Sequence, residues 1–213
     1  MALSQRLFDA IVDGKAQLAK SLVEEELGAG ADPMALVAET MIPAMDEVGK
    51  LFQEEEFFVP ELLLSGRAMK AAMEPLRPLL AVAGAKPAGV VIAGTVKGDL
   101  HDIGKNLVVS MLEGAGFKVV DLGSDVTPQQ FVEAIREHRP HILCFSALLT
   151  VTMTAMKTTI DAIEEAGLRQ SVKVLVGGAP LSARYAAEIG ADGYGASASD
   201  AVVLARRQVG LSN

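Results

Sequence analysis

Three residues able to bind a metal or carry a proton crowd into one short segment, Gly98-Asp-Leu-His-Asp-Ile-Gly104: Asp99, His101 and Asp102. An imidazole is a good ligand for a transition metal when its other ring nitrogen donates to a carboxylate, which fixes the ring and raises its basicity. Asp99 lies close enough along the chain to be that carboxylate. Gly104 allows a tight turn or a near approach of backbone to a bulky ligand. Taken alone, the cluster is equally compatible with a solvated polar loop. The other histidines, His138 and His141, flank a helix end and a strand start and read as surface or structural groups. Without a second set of ligands, a zinc or iron cage made wholly of side chains is poorly supported.

The elements that must hold this segment fall into two halves. The first 83 or so residues carry helical spacing, with Leu3, Leu7 and Ile11, then Leu18, Leu22 and Val23. After Gly28 and Gly30, Asp32-Pro33 gives a helix start, since Asp accepts first-turn amides and Pro suits the first helical position. That helix is predicted to run to about Glu55, and a fourth from Val59-Pro60-Glu61 to about Leu80. Four helices with short breaks suggest a small bundle. Residues 84–89, within the small-residue stretch Ala83–Gly89, read as a linker and a candidate hinge.

From residue 90 to 213 the period changes. Five β-rich runs (Val90–Val96, Phe117–Leu122, Ile142–Ser146, Val172–Val176 and a weak one at Gly193–Tyr194) alternate with amphipathic stretches at about 103–114, 127–138, 152–166, 181–189 and 198–208. Thr127, Pro128 and Gln130 form a capping-box start for the second stretch. Five strands alternating with five helices predict an α/β fold: a flavodoxin-like, doubly wound parallel sheet of five strands behind the helical domain. In such sheets the ligand sits beyond the carboxyl ends of the strands, where strand order reverses. Three suspicious segments stand there: Lys97–Lys105 after the first strand, Ser146–Thr152 after the third, and Gly177-Gly178 after the fourth.

Composition narrows the partners. Half of the 213 residues are hydrophobic and the net charge is −8, which opposes a broad nucleic-acid or anionic-membrane surface. No apolar run approaches the roughly 20 residues needed to span a bilayer, and no secretory signal opens the chain, so a cytoplasmic protein is expected. The only cysteine, Cys144, lies in the apolar run Ile142–Phe145 and reads as a buried, inert thiol. Nine methionines suit helix packing around irregular gaps.

Gly104 and Ser146 are separated by 41 residues, and Leu148 and Gly177 by 28. The combination Asp-x-His-x-x-Gly, then Ser-x-Leu, then Gly-Gly, at these separations, resembles the signature of proteins that bind cobalamin with its own base displaced. That family includes the cobalamin module of methionine synthase and the small corrinoid proteins of methyltransferase systems. The stretch Gly49–Leu62, continuing to Met69-Lys70, resembles the helical cap of the same proteins, so the likeness runs from about Met41 to Tyr194.

The resemblance implies specific roles. His101 would be the lower axial ligand of cobalt in place of dimethylbenzimidazole, and Asp99 would hydrogen-bond its imidazole. Ser146 would hold the displaced benzimidazole, while Gly177 and Gly178 leave room for the nucleotide tail. Gly98, Asp102, Ile103, Gly104, Leu148, Thr150 and Tyr194 would border the cofactor. Thr152 would extend the relay from Asp99; methionine synthase has a serine there, so the hydroxyl is kept and its geometry altered. Phe58 would lie over the methyl group, with Leu62, Ser65 and Met69 at spacings that can share its face. For Leu62 and Met69, ordinary bundle core is the competing reading.

The cofactor implied is cobalamin as methylcobalamin and cob(I)alamin, or a related corrinoid. The partners implied are a substrate-specific methyltransferase, a second methyltransferase whose acceptor is a folate or a thiol coenzyme, and a reductive activating protein. A catalytic barrel needs about 200 residues of its own, so the chain is expected to be a non-catalytic carrier subunit. A cobalamin-dependent sensor or regulator is the alternative, although it usually carries a DNA-binding or signalling segment. A carbon-skeleton isomerase subunit fits the cap less well. A flavodoxin-like domain without cobalamin would make the three-part spacing a coincidence.

Overall fold

In the computed structural model, which describes residues 3–82 and 87–211, the chain divides into two compact units. A helical unit reaches to Pro87 and takes in Glu113–Gly116; an α/β unit covers Ala88–Leu112 and the chain from Phe117. Half of the expected linker, residues 84–86, lies outside the described residues.

The helical unit contains α1 (Leu3–Val12), α2 (Ala16–Gly28), α3 (Pro33–Leu36), α4 (Ile42–Gln53), α5 (Val59–Met73) and α6 (Arg77–Val82). Asp32 caps α3 by accepting from the amides of Met34 and Ala35, as its type and place predict. The expected single helix from Pro33 is interrupted by a π turn at Val37–Met41. Pro43 has no N–H for the carbonyl of Glu39, and its ring crowds that carbonyl in an ordinary α turn. The wider turn, closed by the Ile42 amide on the Val37 carbonyl, relieves the clash. The expected fourth helix is likewise divided, because Pro75 cannot continue it, so α5 ends at Met73. Helix α2 packs along α5, and Ser65 donates to the Val12 carbonyl at 2.8 Å. At Gly14, where φ is +69°, a Cβ would stand 2.5 Å from Leu64 Cβ, so the α1–α2 turn needs glycine.

The α/β unit alternates β1 (Val90–Thr95), α7 (Ile103–Gly114), β2 (Lys118–Asp121), α8 (Pro128–His138), β3 (Ile142–Ser146), α9 (Thr154–Glu165), β4 (Lys173–Gly177), α10 (Ala183–Glu188), β5 (Gly193–Gly195) and α11 (Ala198–Gln208). The sheet is wholly parallel, in the order β2-β1-β3-β4-β5. Its central strands are apolar on both faces because helices cover both. On one side Phe131 of α8 meets Phe145 of β3 edge-on, with ring centroids 4.7 Å apart. The chain turns back on itself between β1 and β3, the point at which a ligand is expected. There Thr95, Ser146, Gly177 and Gly195 lie in register across the carboxyl end of the sheet. Among the described residues, no helix is long and apolar enough to cross a membrane.

Candidate functional site

Three loops meet at that carboxyl end, and Asp99 joins them. Its side chain has no exposed surface. One carboxylate oxygen accepts from the His101 amide at 3.0 Å and stands 2.7 Å from His101 Nδ1. The other accepts from the amides of Leu148 and Leu149, at 2.8 and 3.3 Å, and from the Thr152 hydroxyl at 2.7 Å. Burial alone would raise its pKa. The hydrogen bonds from Thr152, Leu148 and His101 outweigh burial and hold the carboxyl well below the usual carboxylate range. Asp99 is therefore an ionised, acceptor-only group, and His101 Nδ1 must be the donor.

That fixes the tautomer. With the proton on Nδ1, the Nε2 lone pair of neutral His101 is free, and it has no protein partner among the described residues. The backbone of His101 is equally tied: its carbonyl accepts from the Thr95 hydroxyl at 3.0 Å. The side chain is 49% exposed. The loops that meet at Asp99 carry large apolar side chains left bare: Leu100 (73%), Ile103 (69%) and Val151 (76%), with Leu148 and Leu149 also exposed. A cluster of this kind marks a binding surface, because folded proteins rarely leave contiguous apolar area in water. An imidazole presenting a lone pair from an apolar platform suits a large, flat metal macrocycle with one axial position to fill. No three His, Cys, Asp or Glu side chains gather around a metal position among the described residues.

The remaining predicted residues divide clearly. Gly98 (φ +85°) donates its amide to Asp125, whose own amide holds the Asp99 carbonyl; this braces the loop from the β2 side. Asp102 does not face His101. Its carboxylate accepts from Asn106 Nδ2, and its carbonyl from the Asn106 amide, so it starts α7. Gly104 is exposed, with nothing within 4 Å of a built Cβ. Ser146 is partly buried, and its hydroxyl makes no hydrogen bond among the described residues. Thr150 is exposed in the loop beside Leu149, and Tyr194 is half-buried, packed on the sheet core. At Gly178 (φ +135°) a Cβ would fall 1.9 Å from the Ala147 carbonyl oxygen, and at Gly177 it would lie 3.2 Å from the Gly195 oxygen. Gly178 is thus required by neighbouring backbone, and at Gly177 a Cβ would crowd the Gly195 carbonyl.

In the helical unit, Phe58 is 61% exposed at the start of α5, where Glu61 accepts its amide at 2.9 Å. Leu62 and Met69 are buried, as is Ser65, so the structure favours core packing for those two over an accessible cofactor face. Their four- and seven-residue spacings place them on one stripe of α5.

Sequence reasoning missed Thr95, Leu149 and Lys105. Lys105 is buried, bonds both Asp121 oxygens at 2.6 Å, and gives Asn106 Oδ1 a third bond at 2.7 Å. Its place four residues after His101, in the first turn of a helix, was the available signal. Leu149 acts through its amide and leaves no trace in side-chain type. His141 is structural, its Nδ1 accepting from the Val90 amide.

Residues 3–77 and 89–203 each match a family model described as a B12 binding domain. The chain is 44% identical over 200 residues to trimethylamine corrinoid protein 1 of Methanosarcina acetivorans, covering 93% of each chain. It is 39% identical over 205 residues to dimethylamine corrinoid protein 1 of the same organism, covering 96% of each. Among solved structures it resembles a cobalamin-binding protein from Desulfitobacterium hafniense (TM-score 0.81, 32% identity, 99% of this chain and 100% of that one). It also resembles a chain of the methanol:cobalamin methyltransferase complex from Methanosarcina barkeri (TM-score 0.86, 30% identity, 99% and 81%). The chain belongs to the cobalamin-binding corrinoid proteins of methyltransferase systems. Its cofactor is a cobalamin or a related corrinoid.

Proposed function

We propose that this protein is a cytoplasmic methyl carrier that holds its corrinoid with the cofactor's own base displaced and His101 as the lower axial ligand. It receives a methyl group from a substrate-specific methyltransferase and yields it to a second one, whose acceptor is a folate or a thiol coenzyme. A reductive activating protein would restore the carrier after accidental oxidation. The names of its relatives favour a small amine or methanol as the ultimate methyl donor.

The observation that carries this reading is the state of His101: amide, carbonyl and Nδ1 are each engaged, and Nε2 alone is left. When bound, the corrinoid supplies the cobalt centre that accepts and releases the methyl group. The residues of the chain do the rest. Asp99 keeps the proton on Nδ1 and so keeps Nε2 available. The buried carboxylate 2.7 Å from Nδ1 also fixes the direction of the ring. Thr152, bonded to the same carboxylate, continues that hydrogen-bonded chain. Leu100, Ile103, Leu148, Leu149 and Val151 would exclude water from the lower side of the ligand. Ser146 has a hydroxyl to offer a displaced base.

The test is electron paramagnetic resonance of the protein loaded with cob(II)alamin, with and without nitrogen-15 in histidine. Conversion of a three-line axial splitting to two lines, lost in His101→Ala, is expected. Binding with an unaltered splitting would remove the lower-ligand role, and no binding at all would remove the cofactor reading for this chain.

A further inference from the structure

Two of the three bonds that fix His101 end on a single oxygen. The amide and Nδ1 both point at Asp99 Oδ1, at 3.0 and 2.7 Å. A residue held only there can still pivot about that oxygen, and the direction of Nε2 would swing with it. The third bond removes the pivot, because Thr95 Oγ1 donates to the His101 carbonyl at 3.0 Å and so holds the residue at a second point.

Thr95 is itself immobile. It is fully buried at the last position of β1, in register with Ser146. Its amide donates to the Gly123 carbonyl at 2.9 Å, and its own carbonyl accepts from the Val126 amide at 3.0 Å. The next amide, that of Val96, donates to the Ser146 carbonyl at 3.0 Å. The strand end is therefore tied to the loop after β2 and to β3, and the hydroxyl stands on a rigid post. A buried β-branched residue serves the core equally well as valine, whereas a buried hydroxyl is kept without loss only where it has a partner. Its partner here is the carbonyl of the one residue whose side-chain direction matters most.

We infer that Thr95 is a positioning residue for the axial ligand: its hydroxyl fixes the His101 peptide and thereby aims Nε2. Asp99 selects the tautomer, and Thr95 sets the direction. This inference rests on the lower-ligand reading proposed above, and its test separates the two. Thr95→Val keeps the shape and removes the donor; Thr95→Ser keeps the donor and removes a methyl group.

The three proteins, labelled with nitrogen-15 in histidine and loaded with cob(II)alamin, are compared by electron paramagnetic resonance. Urea unfolding of the cofactor-free forms is measured alongside. In wild type, histidine coupling must be present; its absence overturns the lower-ligand reading and this inference with it. With coupling present, Thr95→Val is expected to lower the ratio of histidine-ligated to unligated cobalt about threefold to tenfold, the range expected for one lost hydrogen bond. Thr95→Ser is expected to restore it. Equal ratios in wild type and Thr95→Val overturn the inference and leave the lower ligand standing. A loss in both variants assigns the effect to the methyl group and overturns it as well. Should Thr95→Val fail to fold, Thr95→Ser decides alone, since a weakened coupling in a variant that retains the hydroxyl refutes the hydrogen-bond role and an intact one upholds it.

Discussion

Asparagine at position 99 would keep the shape of the carboxylate and remove one acceptor. Five donors converge on Asp99: the amides of His101, Leu148 and Leu149, the Thr152 hydroxyl, and His101 Nδ1. An amide offers one oxygen and one NH2, so it must choose. With its nitrogen in place of Oδ2, it leaves the Leu148 and Leu149 amides without an acceptor; Thr152 can turn its proton to the Leu149 carbonyl, 2.9 Å away. With its nitrogen in place of Oδ1, it strands only the His101 amide, provided that His101 moves its proton from Nδ1 to Nε2. Each stranded donor costs about 1–3 kcal/mol, so the second arrangement is the cheaper by roughly one such term. Asp99→Asn is therefore expected to lose about 1–3 kcal/mol of stability and to switch the His101 tautomer. The switched ring has no lone pair on Nε2. Long-range proton–nitrogen correlation spectra of histidine-labelled, cofactor-free protein report the tautomer directly. His141 supplies an internal reference, because its Nδ1 accepts from the Val90 amide at 3.1 Å and its neutral form must carry the proton on Nε2. A variant of wild-type stability whose His101 keeps its proton on Nδ1 would refute the reasoning.

The two kinds of glycine in the site should respond oppositely to alanine. Gly178→Ala, at φ +135° and 1.9 Å from the Ala147 oxygen, is expected to cost at least about 2 kcal/mol in urea unfolding. Gly104→Ala, with open space and a helical place in α7, should match or exceed wild-type stability by up to about 1 kcal/mol while cobalamin affinity, read by absorbance titration, falls. Asp192 tests the scaffold away from the site. Burial would raise its pKa, but the Val174 amide, Arg169 and Lys173 hold it below the usual range. Because the folded value is depressed, its contribution is full above about pH 4 and fades as the pH falls further. The stability gap between wild type and Asp192→Asn should be widest near neutrality, at about 1–3 kcal/mol, and should narrow in acid. Cys144, whose thiol burial pushes up to about 12, should resist thiol reagents at pH 8 until the protein is unfolded.

Much of this arrangement was legible in residue types. Alternation of β-rich and amphipathic runs placed all five strands and helices of the α/β unit to within a few residues, because a parallel sheet covered on both faces demands that pattern. Thr127, Pro128 and Gln130 mark the start of α8, and the capping box is present. The segments after β1, β3 and β4 stand at the carboxyl end of the sheet by topology alone. Apart from the side chains of Thr95 and Lys105, what stayed hidden acts through backbone or through a single proline. The π turn before Pro43 and the break at Pro75 divide helices whose apolar spacing reads as continuous. Asp99 is anchored by the amides of Leu148 and Leu149, and an amide carries no sequence signal. The glycine pair reads as space for a ligand, whereas its nearest neighbours are the Ala147 and Gly195 carbonyls.

The strand order explains why the histidine belongs in the first of these loops. In a sheet ordered 2-1-3-4-5, β1 has β2 on one side and β3 on the other, and the chain reverses direction across it. Only the β1–α7 loop can then be braced from the β2–α8 loop and the β3–α9 loop together. Both braces are present: the Asp125 amide holds the Asp99 carbonyl from one side, and Leu148, Leu149 and Thr152 hold its carboxylate from the other. A loop after β5, at the sheet edge, would have one neighbour and no such clasp. In the lower-ligand role proposed above, His101 would need a loop that holds one direction, and this topology braces its loop from both sides at the switch point. His101 is hydrogen-bonded to Asp99, and Asp99 to the loop that presents Leu148 and Leu149, so the two loops share one anchoring carboxylate.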